Sequence, residues 1–270
     1  MNKDYAKIAN EIRRTVLKMA NRAKSAHVGS SLSLVELLSV LYWGILRAKP
    51  LNPSWEERDR FILSKGHGCA VLYATLAAKK FFPHRWLDTY YQNGGKLSGH
   101  ITHHNIPGVE ASTGSLGHGL PIGCGMAIAA KRDKKKYRVL VILSDGELDE
   151  GSNWEAILFA PHHKLDNLVV IIDYNKIQSL TFVKDTLNLE PLAQKWSTFG
   201  WAVKEIDGHN FDEIEKTLAQ IPFVKGKPSC VIAHTIKGKG VSFMENDNLW
   251  HYRAPDEHEL KKALKELEAI

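Results

Sequence analysis

Two short apolar runs constrain this chain more than anything else in it. Val139-Leu140-Val141-Ile142-Leu143 ends in Ser144-Asp145-Gly146, and Leu168-Val169-Val170-Ile171-Ile172 ends in Asp173-Tyr174-Asn175. Residues 153–163, between them, read as a helix. Two buried strands joined by a helix form a right-handed βαβ unit, which sets both strand ends at one edge of a parallel sheet. Ligands of open α/β sheets bind at that carboxyl edge. Asp145 and Asn175, about thirty positions apart, are therefore expected side by side with their oxygens facing out. One carboxylate, one amide oxygen and a nearby carbonyl make a hard-oxygen set suited to Mg²⁺ or Ca²⁺. Mg²⁺ commonly completes such a set with phosphate oxygens and water. Gly146 is expected to leave room for a phosphorylated ligand to approach the backbone.

The rest of the chain extends this pattern. Residues 4–22 read as an amphipathic helix carrying Ile8, Ile12, Val16 and Met19. Residues 25–30 read as a loop. Ser33-Leu34-Val35-Glu36 has the form of a capping box opening a helix to about Leu46. A strand is expected over 59–64, running into Lys65-Gly66-His67-Gly68, with a small-residue helix to about Lys80. Periodicity is lost over 91–118, where glycine and histidine accumulate, and a long irregular stretch in a compact domain is usually functional. A Gly/Ala-rich helix (120–131), a loop and short helix (184–196), an edge strand (201–206), a helix (211–220) and a buried strand (229–233) follow. The tail from Asp256 reads as a charged amphipathic helix. Strands alternating with helices predict a doubly wound, mostly parallel α/β sheet with helices on both faces and no domain boundary.

Composition excludes several classes. At 270 residues, with 44% hydrophobic and 24% charged residues, the chain can bury a sizeable core and reads as an ordinary soluble protein. The net charge of +6 is mild. The basic cluster at 131–136 has no aromatic platform beside it, so no nucleic-acid partner is expected. No apolar run reaches membrane-spanning length and the N-terminus has no apolar leader, so no membrane partner is expected either. Cys69, Cys124 and Cys230 are far apart and lack zinc spacing, which points to buried thiols and a cytoplasmic setting.

His27, His67, His100 and His251 all fall in predicted loops, with His67 just past a strand end. His100, His103 and His104 lie close enough in sequence to hold a metal incidentally. The segments around these histidines resemble the transketolase family. Asp145-Gly146, Glu150-Gly151 and Asn175 are similar to the thiamine-diphosphate signature, with Ser144 where a glycine is usual. Ser25-Ala26-His27 before Gly29 resembles an early histidine loop, with Val28 where proline is common. Ser64-Lys65-Gly66-His67, Ser98-Gly99-His100 and Trp250-His251-Tyr252-Arg253-Ala254-Pro255 resemble further family segments. The stretch from Pro107 to Gly119 matches best, departing from the usual residues at Ser115 and His118.

That resemblance implies a thiamine-diphosphate-binding fold over residues 1–270 as a single domain. It implies that Asp145, Asn175 and the Ile177 carbonyl hold Mg²⁺ (or Ca²⁺ or Mn²⁺). His67, Gly146, Asn175 and His251 would line the diphosphate. The backbone of Gly114, Ser115 and Leu116 would meet the cofactor rings, and His27, His100 and His251 would face the sugar. Glu150 and Glu155 would belong to an acidic network at a twofold interface, although Ser152-Asn153-Trp154-Glu155 also fits a helix-capping box. The family's pyrimidine-binding and C-terminal domains are missing. The closing helix, 257–270, reads as a natural end, so a separate subunit of roughly 300 residues (about two domains by length) is expected to supply the pyrimidine-activating glutamate. An α₂β₂ hetero-oligomer, inactive as this chain alone, follows as the family expectation, with sugars or sugar phosphates as substrates. Competing readings are a subunit resembling deoxyxylulose-phosphate synthase or a 2-oxo acid dehydrogenase α chain, and a non-catalytic nucleotide-binding module. The glycine order from Gly114 to Gly119 does not fit the dinucleotide fingerprint.

Overall fold

A computed structural model describes residues 4–268. Its five strands are β1 (Arg60–Leu63), β2 (Val139–Ser144), β3 (Leu168–Tyr174), β4 (Ala202–Asp207) and β5 (Ser229–His234). They form one sheet in the order β1-β2-β3-β5-β4, and every pairing is parallel. The helices are α1 (Tyr5–Ala23), α2 (Val28–Leu32), α3 (Val35–Val40), α4 (Cys69–Ala78), α5 (Gly119–Arg132), α6 (Gly151–His162), α7 (Val183–Thr186), α8 (Leu192–Thr198), α9 (Phe211–Leu218) and α10 (Glu257–Glu266). The expected doubly wound architecture is present, with β4 at the predicted edge.

Alternation along the strands divides the core into two layers, because successive side chains leave opposite faces of a sheet. Leu140, Ile142, Val169 and Ile171 join Val16, Leu17, Leu37, Val71 and Ile214 from α1, α3, α4 and α9 on one face. Val139, Val141, Val170 and Ile172 join Cys124, Ile157 and Trp196 from α5, α6 and α8 on the other. With both faces covered, β2 and β3 are buried at every position, which is why they read as unbroken apolar runs. Gly123 lets α5 sit close on β2, since a Cβ there would come within 2.7 Å of Val141 Cγ2. The three cysteines are buried free thiols. Among the described residues no helix is long and apolar enough to cross a membrane.

Several local expectations are corrected. Residues 25–30 are not all loop, because α2 begins at Val28, directly after His27 in a left-handed conformation (φ 67°). Ser33 does not cap a helix: its hydroxyl donates to Asp173 Oδ2 at 2.7 Å, while Glu36 pairs with Arg13 and with His209. The helix expected to reach Leu46 widens into a π-helical turn over Leu41–Ile45. The expected Glu155 capping box is absent too. The N-cap of α6 is Glu150, and the Ser152 hydroxyl donates to the Gly117 carbonyl at 2.8 Å. A capping box does close the start of α10, between Asp256 and Glu259. That helix ends at Glu266, and residues 269–270 of the predicted closing helix lie outside the described part.

Candidate active site

The carboxyl edge of the sheet forms the floor of a cavity. It is lined by His27, Lys65, His67, His100, Gly114 and Leu116, and by Asp145, Gly146, Asn175, Ile177, Gln178 and His251. β2 and β3 are in register from Val139 with Leu168 to Ser144 with Asp173, so Asp145 and Asn175 emerge at neighbouring strand ends. Asp145 Oδ1 accepts the Gly146 N–H at 2.7 Å and Oδ2 accepts the Lys176 N–H at 2.6 Å. Asn175 Oδ1 accepts the Ile177 N–H at 3.1 Å, and the Ile177 carbonyl accepts from Lys237 Nζ at 3.1 Å.

Beneath them lies a buried ion pair that sequence reasoning left without a role. Lys65 Nζ stands 2.5 Å from Asp173 Oδ2, with both side chains essentially without solvent contact. Asp173 also accepts from Ser33, Thr235 and, at 3.3 Å, Asn175 Nδ2. Burial alone would raise this carboxyl, but Lys65 and the hydroxyl donors hold it below its ordinary value. Asp145 differs. Burial, and then the Asp173 charge, push it up to about 7. Among the described residues no salt bridge reaches it.

That imbalance tests whether a metal fits here. A buried carboxylate without a paired cation is costly, and a bound cation relieves the cost. Asp145, the Asn175 amide and the Ile177 carbonyl supply oxygen donors of the type Mg²⁺ and Ca²⁺ prefer. The residues present fit such an ion. Among the described residues, no three His, Cys, Asp or Glu side chains are grouped to hold a metal, so the incidental site at His100, His103 and His104 is not formed. His103 instead shares a hydrogen bond with Ser112 Oγ at 2.7 Å.

Four imidazoles face one another above this floor. The His27 ring centroid lies 5.3 Å from that of His67, 5.9 Å from His100 and 4.9 Å from His251. The His27 N–H donates to the His251 carbonyl at 3.0 Å, tying the first loop to the last. Burial, followed by His100 and the ammoniums of Lys237 and Lys65, lowers His27 to about 4. Burial, Lys237 and His27 lower His251 to about 3. His67 is held well below its ordinary value, first by burial and then by Lys65. These three rings are held in the neutral form at pH 7, in which one ring nitrogen carries a proton and the other a lone pair.

The irregular stretch ends in a loop fixed by a second buried acid. Glu147 accepts from Ser64 Oγ, from the Gly117 N–H at 3.0 Å and from the Ser144 N–H at 3.3 Å. Burial raises its carboxyl. Gly114, at φ 147°, turns against His100, where a Cβ would lie 3.0 Å from Cδ2. Gly114 and Leu116 line the cavity. Ser115 is exposed and its side chain is not among the lining groups. The space expected at Gly146 is shared with a neighbour, since a Cβ there would press on Gln178 Cγ at 3.1 Å. Glu150 and Glu155 lie outside the cavity and are exposed, Glu155 beside an apolar depression with Pro121, Gly125 and Phe159. Lys65, Asp173, Glu147, Gln178 and Lys237 were not singled out from the sequence. Lys65 and Asp173 stand next to the recognisable motifs, but nothing in their spacing announces a pair.

Known proteins are similar to this chain in sequence and fold. The family model for the transketolase thiamine diphosphate binding domain matches residues 5–268. An apulose-4-phosphate transketolase subunit from Actinobacillus succinogenes is 46% identical over 265 residues, covering 98% of this chain and 96% of that protein. The 6-deoxy-6-sulfo-D-fructose transketolase subunit SqwG of a Clostridium species is 44% identical, covering 96% of this chain and 94% of that one. The crystal structure of transketolase from Campylobacter jejuni superposes with a TM-score of 0.93 at 33% identity, covering 99% of this chain but 43% of its own. Fold and relatives agree, and the chain belongs to the transketolase family, where it corresponds to the thiamine diphosphate binding domain.

Proposed function

We propose that this chain is the diphosphate-binding subunit of a two-chain transketolase, which moves a two-carbon ketol unit from a ketose to an aldose. The observation that carries this reading is the shared cavity in which His27, His67, His100 and His251 overlook Asp145 and Asn175. In this reading Asp145, Asn175 and the Ile177 carbonyl hold Mg²⁺, Ca²⁺ or Mn²⁺, which offsets the charge of the diphosphate. His67, Gly146, Asn175 and His251 line that diphosphate, and the backbone of Gly114, Ser115 and Leu116 meets the cofactor rings. Thiamine diphosphate, when bound, supplies the carbanion and the electron sink for carbon–carbon cleavage.

The chain's own groups then handle protons and water. Cleavage between C2 and C3 of a ketose removes the proton of the C3 hydroxyl, and a neutral imidazole has the lone pair to accept it. His27 and His100 take this role. Burial is the main cause that weakens His27 as a base, and only the smaller contributions of Lys237 and Lys65 would be offset by an anionic diphosphate.

Residues 1–270 act as one domain in this reading. The pyrimidine-binding and C-terminal domains reside on a partner of roughly 300 residues. Relatives whose names describe transketolase subunits support that division, because this chain matches them over nearly their full length. Glu150 and Glu155 face a twofold contact in an α₂β₂ assembly. Buried free thiols fit a cytoplasmic setting. The names of two relatives point to sugars ending in an anion, phosphate in one and sulfonate in the other.

The test is to purify the tagged chain from its own cells, weigh what accompanies it, and assay ketol transfer with phosphorylated and sulfonated sugars. A stoichiometric companion, with activity dependent on both chains, thiamine diphosphate and Mg²⁺, is expected. Appreciable activity of this chain alone would overturn the two-chain reading. No transfer from any donor by the complex would overturn the reaction.

A further inference from the structure

Lys237, in the loop after β5, is almost wholly buried. Its Nζ lies 3.1 Å from the Ile177 carbonyl, 3.1 Å from the Gln178 carbonyl, 3.3 Å from Asn248 Oδ1 and 3.1 Å from His251 Nδ1. The Asn248 amide is oriented from its other end, where Nδ2 donates to the Ser179 carbonyl at 2.7 Å and the Leu180 carbonyl at 3.2 Å. Its oxygen is thereby left for Lys237. Three of the four neighbours of Nζ are oxygens that can only accept.

A lysine ammonium carries three protons and no lone pair, so it cannot accept from an imidazole N–H. An Nδ1–H would face a group with no lone pair, so Nδ1 is the unprotonated nitrogen, sharing the third ammonium proton with Asn248 Oδ1 at its longer 3.3 Å, and the ring proton of the neutral imidazole resides on Nε2. The main chain of His251 is held as well, through its carbonyl and the His27 N–H. Among the described residues, no comparable hydrogen bond engages the ring nitrogens of His27, His67 or His100, which stay free to exchange tautomers.

We propose that Lys237 is a positioning residue that fixes His251 as its Nε2–H tautomer, so that His251 presents a hydrogen-bond donor and not a base to the ligand. Such a donor matches a phosphate oxygen or a developing alkoxide, and it leaves proton acceptance to His27 and His100. The tautomer itself follows from contacts within this chain. Only its effect on turnover rests on the transketolase reading.

The experiment uses the full chain labelled with ¹⁵N-histidine, with the His251 signals identified by their loss in His251→Gln. Long-range ¹H–¹⁵N correlation near neutral pH is expected to show an unprotonated Nδ1 and a protonated Nε2. In Lys237→Met the two nitrogens should move toward a tautomer average, and Lys237→Arg, which can still donate, should restore the original pattern. In the complex with its partner, Lys237→Met should lower kcat about 10- to 100-fold with donor KM little changed, as for other groups that orient an imidazole. A protonated Nδ1 in the unsubstituted chain overturns the proposal whether or not any variant folds. So does an unchanged His251 pattern in a folded Lys237→Met chain. Because these spectra need neither cofactor nor partner, they stand apart from failure of the catalytic reading.

Discussion

The floor and the rim of the cavity solve opposite problems. On the floor, Asp173 is surrounded by donors and matched by Lys65, so its charge is settled when the chain folds. On the rim, His27, His67 and His251 are stripped of water and pressed by neighbouring cations, so their charge is suppressed. Asp145 lies between these regimes, buried without a cation of its own. The floor is a finished electrostatic structure, whereas the rim keeps its proton capacity in reserve for a ligand.

Breaking the floor should have the largest effect. Lys65→Met leaves Asp173 buried and uncompensated, and loss of about 3–5 kcal/mol of stability is expected, the scale for removing one partner of a buried ion pair. Denaturant titration measures it, and a change within error would mean that water already reaches Asp173. Asp145→Ala should weaken Mg²⁺-dependent binding of thiamine diphosphate by at least about 100-fold, since outer-shell changes alone can reach that size. Calorimetry with and without Mg²⁺ decides this, and retained affinity would remove Asp145 from the metal site.

His27 and His100 should respond in rate and not in binding. His27→Ala and His100→Ala are each expected to lower kcat of the complex about 100-fold, the lower range for general acid–base groups, with cofactor affinity far less affected. Unchanged turnover in both would take these residues out of the chemistry. The rim should also shape the response to acid. An unfolded chain takes up protons at its histidines near 6.5, whereas folded His27 and His251 resist until about 4 and about 3. Their contribution is therefore full above 6.5 and is lost as pH falls toward those values. The slope is at most about 1.4 kcal/mol per pH unit for each ring, and less where solvent screens the cavity. Urea unfolding at a series of pH values should show a shallower slope in a His27→Gln/His251→Gln double variant, and an unchanged slope would place the acid sensitivity elsewhere.

The smallest effect is expected at Glu155, outside both regions. Glu155→Gln should alter the stability of the isolated chain by less than about 0.5 kcal/mol, the usual range for exposed positions without a structural role. A larger loss would restore a local role for its carboxylate. A shift confined to the assembled state would favour the interface.

What the sequence made legible follows from the range of the forces involved. β2 and β3 were readable because both of their faces are buried, and the polar residues after them mark the binding edge in the sequence itself. His27, His67, His100 and His251 were found through segments resembling a family, and the fold gathers them around one cavity. The Lys65–Asp173 pair was not legible, since its members lie 108 positions apart and no periodicity connects them. Ser33 misled for the same reason: its local pattern suits a helix cap, but its hydroxyl serves Asp173 across the fold. Lys237 was hidden because its partners lie in separate loops, around Ile177 and around His251.

The sheet's two margins bear on how this chain keeps company. β1 is only four residues long, and Thr113 Oγ1 covers the Leu63 carbonyl at its end with a 2.7 Å hydrogen bond. β4, at the opposite margin, carries Lys204, Glu205 and Asp207. Short and charged margins discourage strand-to-strand growth, the route by which parallel sheets recruit stray chains into aggregates. Such margins leave the helix faces and loop rims as the surfaces on which association can be selective.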